Sequence, residues 1–417
     1  MTSPRRLIAA AVCAAGLLLA SRPVLAQGYT FDLIADTAAG EFFDFGLGVS
    51  INRAGTIAFG ATFADGGAAI LRGEGNGPVT TIADTRAGIP DLRVLGALFA
   101  VKVNDAGTVA FLGGYDPIIG EFTRVYTGAG EPAGPNLVAD ASGPFAFFQN
   151  ASINAHGTVG FLAELDTGER AVIAKAAGGA ETTLYRTGDG SPFTFIDNLS
   201  AITDAGTLAF TATTTALFTD NAVYRGTTGG AAAVRIGGVG DVIGPDTIDT
   251  VGAPRINDVG TAVFRARLRE SGGGPDVRTG LFAGSGVGGL VTVADTSGAF
   301  TGPSTKDFRH YAINGAASVA FTGDLKAGGF GIFTGADPAT SAVITGTDTL
   351  FGSRVIDLRG LDMNDAGQIV FRFELEDGRK GIARANPFVA IPEPGTLALA
   401  ALPLAVAGIV RSRRRRR

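Results

Sequence analysis

One short pattern constrains this chain more than any other feature. The block apolar-Asn-x-x-Gly-x-apolar-Ala-Phe stands at Ile51–Phe59 and recurs, with small departures, at 103–111, 153–161, 202–210, 256–264, 313–321 and 363–371. Its Asn-equivalent positions are 52, 104, 154, 203, 257, 314 and 364, a period of 49 to 57 residues. Thr203 replaces Asn in the fourth copy and Ala317 replaces Gly in the sixth. Asn-x-x-Gly suits a type I turn followed by a residue at positive φ, because Asn caps the turn and Gly accepts the left-handed backbone. The alternation that follows reads as a strand of period two.

Two further strands recur with the block. One is short and ends in Gly or a basic residue, as at 70–73, 125–128, 172–175, 223–226, 281–284, 332–335 and 382–384. The other ends in Asp, at Asp36, Asp84, Asp140, Asp189, Asp241, Asp295 and Asp348. A loop containing Gly or Pro follows, and then a fourth strand, such as 42–50, leads into the next Asn turn. Four strands in about 50 residues is the size of a propeller blade. The chain opens on a lone Asp-ending strand, 29–36, and its last unit lacks one. The expected fold is therefore all-β: a seven-bladed β-propeller of four-stranded repeats over 27–386, closed by the N-terminal strand joining the last blade. Such closure hides sheet edges.

The repeats resemble a tandem-repeat family named for an Asn-x-x-Gly-x-x-Ala-Phe motif and found in bacterial surface proteins with varied anchors. That resemblance covers most of 28–386 and implies placement at a surface without assigning an activity.

The ends read as sorting signals. Residues 1–26 carry Arg5 and Arg6, an apolar stretch 7–20 and a small-residue cleavage site ending at Ala26, the pattern of a secretory leader. The single cysteine, Cys13, falls inside it, so the mature chain holds no disulfide, thiolate nucleophile or Cys-ligated metal. At the other end, a linker 387–396 contains Pro392-Glu393-Pro394. An apolar segment 397–410 and an Arg-rich cytoplasmic tail 411–417 follow. Fourteen apolar residues fall short of the roughly 20 of a comfortable span. This three-part tail resembles the PEP-CTERM sorting signal of Gram-negative bacteria. The resemblance implies recognition by an exosortase-type membrane protease and a setting of exopolysaccharide and biofilm. A plain C-terminal membrane anchor is the other reading, and both place the body outside the cytoplasm.

Charge bears on the partner. Removing the leader's three arginines and the tail's six from the 34 basic residues leaves 25 against 39 acidic, close to −14. That excludes a nucleic-acid partner and leaves membrane contact to the C-terminal segment.

Chemistry is sparse. The seven strand-ending Asp residues are expected on one face, near the loops between blades. They are candidates for Ca²⁺ through their oxygens, set against a plain turn-capping role. No cofactor is called for. The repeated Phe59, Phe111, Phe161, Phe210, Phe264, Phe321 and Phe371 are expected between blades, as core. His156 and His310 are too few for a multi-His metal site. Glu374 and Glu376, alternating with Arg372, read as a solvated face running into the turn at 376–378. No nucleophile elbow or phosphate loop occurs.

Two functions follow from different classes. The first is an exported, surface-associated, non-enzymatic scaffold that binds extracellular polysaccharide or a surface protein in the biofilm matrix. The absence of Trp and the six Tyr limit aromatic glycan platforms. The second is an extracellular polysaccharide hydrolase or lyase on the same scaffold. It would break the repeat at its irregular stretches: 301–311, with Lys306, Asp307, Arg309 and His310, and 268–278.

Overall fold

The Asn-x-x-Gly block closes a hairpin turn in all seven repeats. The N–H of the fourth turn residue donates to the carbonyl of the first at 55/52, 107/104, 157/154, 206/203, 260/257, 317/314 and 367/364, over 2.9–3.1 Å. The fourth residue sits at φ between 72° and 88° where it is Gly, and at 59° where it is Ala317. A Cβ in this region costs roughly 1–2 kcal/mol. Ala317→Gly is therefore expected to stabilise the protein by about 1 kcal/mol. A thermal melt reads this directly, and an unchanged or lower Tm would mean that the sixth turn has relaxed around its methyl group.

The computed structural model describes residues 28–75, 77–88, 101–116, 121–130, 134–217, 219–271, 276–301 and 308–388. The leader and its cleavage site, Pro392–Pro394, the segments 397–410 and 411–417, and Lys306 and Asp307 lie outside them. Among the described residues, no helix is long and apolar enough to cross a membrane.

The fold is all-β, a ring of small antiparallel sheets that resembles a β-propeller. The first sheet runs Phe42–Ile51, Ile57–Phe63, Ala68–Gly73 and Thr80–Asp84, each strand beside its neighbour in sequence. Two later sheets repeat this order, one from Phe195–Asp197 to Val234–Gly238 and one from Tyr311–Ile313 to Ala342–Thr345. Another, from Val242–Ile243 to Val291–Asp295, adds a short leading strand. An eight-stranded sheet spans Val101–Val103 to Glu181–Arg186. Its two halves meet through a single pair, Phe148 opposite Phe122. The last sheet holds Ser353–Met363, Ile369–Leu375 and Lys380–Pro387, with Tyr29–Asp36 on its outer edge. This outer strand pairs Tyr29 with Pro387 through to Asp36 with Gly381. The short third strands begin earlier than the sequence pattern suggests, at Ala68 and Glu121 instead of 70 and 125.

A register shift recurs where the third strand of each repeat meets the outermost one. It falls at Ile70/Leu71, Val125/Tyr126, Val172/Ile173, Val223/Tyr224, Leu281/Phe282, Ile332/Phe333 and, on the closing strand, Leu33/Ala35. A bulge at this place increases local twist.

The seven repeat Phe side chains are fully buried. They belong to apolar clusters that bridge successive sheets; Phe371, for example, packs with Ile332, Ile344 and Leu358. The expected solvated face at 372–376 is corrected here. Arg372 is buried and reaches across the seam between the last and first sheets, with its Nη2 2.7 Å from Asp44 Oδ1. Glu376 is exposed and pairs with Arg354, while Glu374 is half-buried.

Candidate functional site: the central channel

The strand before each Asn turn is the innermost of its repeat, so the seven turns gather around one axis. Each Asn caps its own turn: its side-chain oxygen accepts the backbone N–H four residues on, from Thr56, Thr108, Thr158, Thr261, Ser318 and Gln368, at 2.8–3.0 Å. In five of the six the amide also donates to the carbonyl of the next turn. Asn52 donates to Asn104 at 3.0 Å, Asn104 to Asn154 and Asn154 to Thr203 at 3.1 Å, and Asn257 to Asn314 at 2.8 Å. Asn364 closes the circle on the carbonyl of Asn52 at 2.9 Å. These Asn side chains are buried, where an unmade hydrogen bond is costly.

Thr203 interrupts the belt. Its hydroxyl still accepts the Thr207 N–H at 3.0 Å, but it has no amide to offer Asn257. Thr203→Asn supplies one and is expected to add about 0.5–1.5 kcal/mol. Chemical denaturation checks this, and a midpoint that does not rise would show that the fourth turn stands too far from the fifth.

The residue after the Asn forms a second ring. Asp105 accepts the Arg53 N–H, Asp204 that of Ala155, Asp258 that of Asp204, and Asp365 that of Gly315. The Arg53 guanidinium lies across the mouth of the channel. It reaches Asp204 and Asp258 at 2.7 Å, Asp105 at 3.2 Å and Asp365 at 3.5 Å. Half of the Arg53 side chain is exposed, so each pair is screened and worth little on its own.

Two cavities lie along the axis. The outer one, about 170 Å³, is lined by all seven turns and by Lys102, Arg255 and Asp362. The inner one, about 30 Å³, shares Lys102, Ala201 and Arg255 with it and adds Asn150, Ser152, Ser200, His310 and Tyr311. Lys102 Nζ pairs with Asp362 at 2.8 Å. His310 titrates near 4, because burial opposes its charged form and the Arg255, Arg359 and Arg309 cations repel a proton. Asp357 acts the other way.

The sequence-based candidates are distributed differently. Among the described residues, no group of three His, Cys, Asp or Glu side chains could hold a metal ion. Most of the strand-ending Asp residues instead serve their own turns. Asp36, Asp84, Asp140 and Asp295 each accept the N–H two residues on, from Ala38, Arg86, Ser142 and Ser297. Asp241 accepts from Gly238 and Asp348 from Thr345. Asp189 is exposed in the turn after Glu181–Arg186. Asp84 pairs with Arg86, Asp241 with Arg235 and Asp295 with Arg278. His156 is exposed in the third Asn turn, while His310 faces the inner cavity. The sequence reading missed Arg53, Lys102, Asn150, Arg255 and Asp362. Their signal is their place in the repeat, one residue after the Asn or two or four before it.

The fold and the channel define a ring-shaped β-protein of the propeller kind. The chain belongs to a family of unknown function (DUF7453), whose model matches residues 119–337 and 336–398. No curated protein matches its sequence. Among solved structures, a puromycin-hydrolysing peptidase of Mycobacterium tuberculosis is similar at 13% identity and TM-score 0.52. The alignment covers 88% of this chain and 57% of the peptidase, so this chain spans little more than half of that protein. The polysaccharide lyase Uly1 is similar at 10% identity and TM-score 0.43, covering 82% of this chain and 90% of the lyase. YCF48 bound to D1 peptide is similar at 11% identity and TM-score 0.44, covering 86% and 96%. At these identities the likeness concerns the fold.

Proposed function

We propose that this chain is an exported, envelope-associated repeat protein of a Gram-negative bacterium that acts as a non-enzymatic scaffold, binding polysaccharide or another surface protein in the extracellular matrix. On this reading 1–26 is its leader, and the Pro392–Pro394 motif with the apolar segment after it is the substrate of an exosortase-type protease. The ring has seven blades. The eight-stranded sheet counts as two of them, since it carries two Asn turns and its halves share only one residue pair.

The observation that carries the scaffold reading is the use made of the repeated polar groups. The Asn side chains and most of the strand-ending Asp side chains bond to backbone within the ring, as a structural repeat requires. The second reading, a hydrolase or lyase, draws on His310, a neutral imidazole facing a cavity.

One experiment separates them. The protein is mixed with extracellular polymer of the producing organism, and co-sedimentation and polymer chain length are read together, with and without Ca²⁺. Co-sedimentation at constant chain length supports the scaffold, and shortened polymer supports the enzyme. A requirement for Ca²⁺ would return the strand-ending Asp residues to candidacy. Absence of any association would count against a polysaccharide partner and leave a surface protein.

A further inference from the structure

The two ends of the ring differ in chemistry. Strand register pairs the start of each second strand with the end of the third, as in Ile57 with Gly73, Thr207 with Thr227, Ala262 with Gly284 and Ile369 with Ala385. The hairpins that follow the third strands therefore stand at the same end as the Asn turns. Three of them, 176–180, 228–233 and 285–290, hold no charged residue. The hairpins at the opposite end carry Asp65, Asp166, Asp220, Lys326 and Glu376.

The Asn-turn end is also where large apolar side chains meet water. Leu137, Val234, Val259, Val287, Val291 and Phe388 are six of the ten such exposed side chains among the described residues. Leu137, Val234 and Val291 stand at the start of outermost strands, Val287 in the hairpin 285–290 and Val259 in the fifth Asn turn. Adjacent repeats bring some of them close. Gly286, next to Val287, lies against Val234, where a Cβ would fall 2.6 Å from Val234 Cγ1. At 68% and 80% exposure, Val259 and Val287 bury too little to serve the core. Apolar surface gathered at one end of a molecule marks an interaction face.

The course of the chain points to the occupant. Lys380–Pro387 runs toward this end, where Pro387 pairs with Tyr29, and Phe388 is the last described residue. Only 389–396 separate it from the apolar segment 397–410. At about 3.3–3.6 Å per residue, that linker reaches about 30 Å at most. We infer that the Asn-turn end of the ring docks on a bilayer surface of zwitterionic lipids, with segment 397–410 as its tether. The inference rests on the proposed reading of 397–410 as a membrane segment. So short a tether keeps the face at high local concentration over the lipid, and a weak contact is then enough. Apolar side chains supply the contact and charge does not. Asp105, Asp204, Asp258 and Asp365 share this end with Arg53, so an anionic surface is repelled. Docked in this way, the channel opens toward the lipid.

From Gln27 onward the sequence has no cysteine, so one introduced thiol takes a dye at a chosen place. Val287→Cys and Leu217→Cys, exposed apolar positions at opposite ends of the ring, are each labelled in the chain 27–417 with an environment-sensitive fluorophore. The protein is reconstituted with phosphatidylcholine vesicles, with and without a lipid-borne nitroxide quencher. Flotation reads the tail, and the dye reads the face. The chain is expected to float, the dye at 287 to shift to the blue and be quenched, and the dye at 217 to stay as it is in water. Adding Val259→Asp and Val291→Asp, both at exposed positions, should abolish the shift at 287 while flotation persists. Flotation with both dyes left in water would overturn the docking face and leave the tail reading standing. Failure to float would overturn both. A shift at 287 that needs no vesicles and grows with protein concentration would put a second copy of the chain on this face in place of lipid. A larger shift on phosphatidylglycerol vesicles would overturn the apolar basis of the contact.

Discussion

Deleting residues 28–36 is expected to abolish cooperative unfolding of the ring. This strand brings Ile34 and Ala35 into the core between the first and last sheets, and lays Tyr29, Phe31 and Leu33 against the core of the last. The ring of Phe31 meets that of Phe371 edge-on at 6.3 Å. Asp32 accepts from Arg384 at 2.6 Å and from Asn386 at 3.0 Å. At about 1.5–3 kcal/mol for each large apolar side chain buried, the lost contacts amount to about 5–10 kcal/mol, comparable with the whole stability of a typical domain. The deletion also leaves Lys380–Pro387 as an unpaired edge open to pairing with another chain. A melt followed by near-UV circular dichroism should lose its sigmoid, and a synthetic 28–37 peptide added in trans should restore part of it. Retention of a sharp transition within a few degrees of the parent would show that the Asn belt alone holds the ring closed.

The second large effect is expected at the same seam. Asp44 of the first sheet receives Arg372 at 2.7 Å and Lys380 at 3.1 Å, both from the last sheet. Burial works against the charged Asp44 carboxyl, but Arg372, the Phe45 N–H and Lys380 together hold its pKa below the ordinary range. The sign follows from linkage: this stabilisation is complete above the ordinary carboxylate range and is lost as pH falls through the lowered value. Asp44→Ala leaves the buried Arg372 without its counter-ion, which costs about 3–5 kcal/mol, or a fall in Tm of roughly 5–15 °C. Combining it with Arg372→Met should recover most of that loss, since an apolar pair of similar volume suits a buried seam. A double variant no better than the single one would place the stability in Asp44–Lys380 instead.

The local half of this architecture was legible in the sequence. Asn-x-x-Gly announced its turn, the Phe of each block its burial, and the unmatched strand at 29–36 its partner at 380–387. Each rests on neighbours a few residues apart or on counting repeats. What stayed hidden joins residues far apart. Arg372 and Asp44 are separated by 328 positions, and nothing near Arg372 distinguishes it from a surface arginine. The Asn residues were read as turn formers, and their second bond, to the next repeat, cannot be seen from one turn alone. The other channel residues are hidden for a different reason. The shared pattern does not mark Lys102, Asn150 or Arg255, which are notable for what the neighbouring copies lack, whereas His310 stands out in the sequence as one of only two histidines. The strand-ending Asp residues are visible because they recur, and six of the seven carboxylates accept a backbone N–H of their own turn.

The pairing of Tyr29–Asp36 with Lys380–Pro387 also sets a clock. Strand 29–36 needs a partner some 340 residues further on, so it must wait while those residues are made. At about 5–20 residues per second the delay is tens of seconds. Throughout that interval Phe31 and Leu33 lack the last-sheet core that covers them, and Ile34 has only its first-sheet neighbours. A chaperone therefore has a long and predictable window in which to find this segment open, and the ring cannot lock before its last strand has been made.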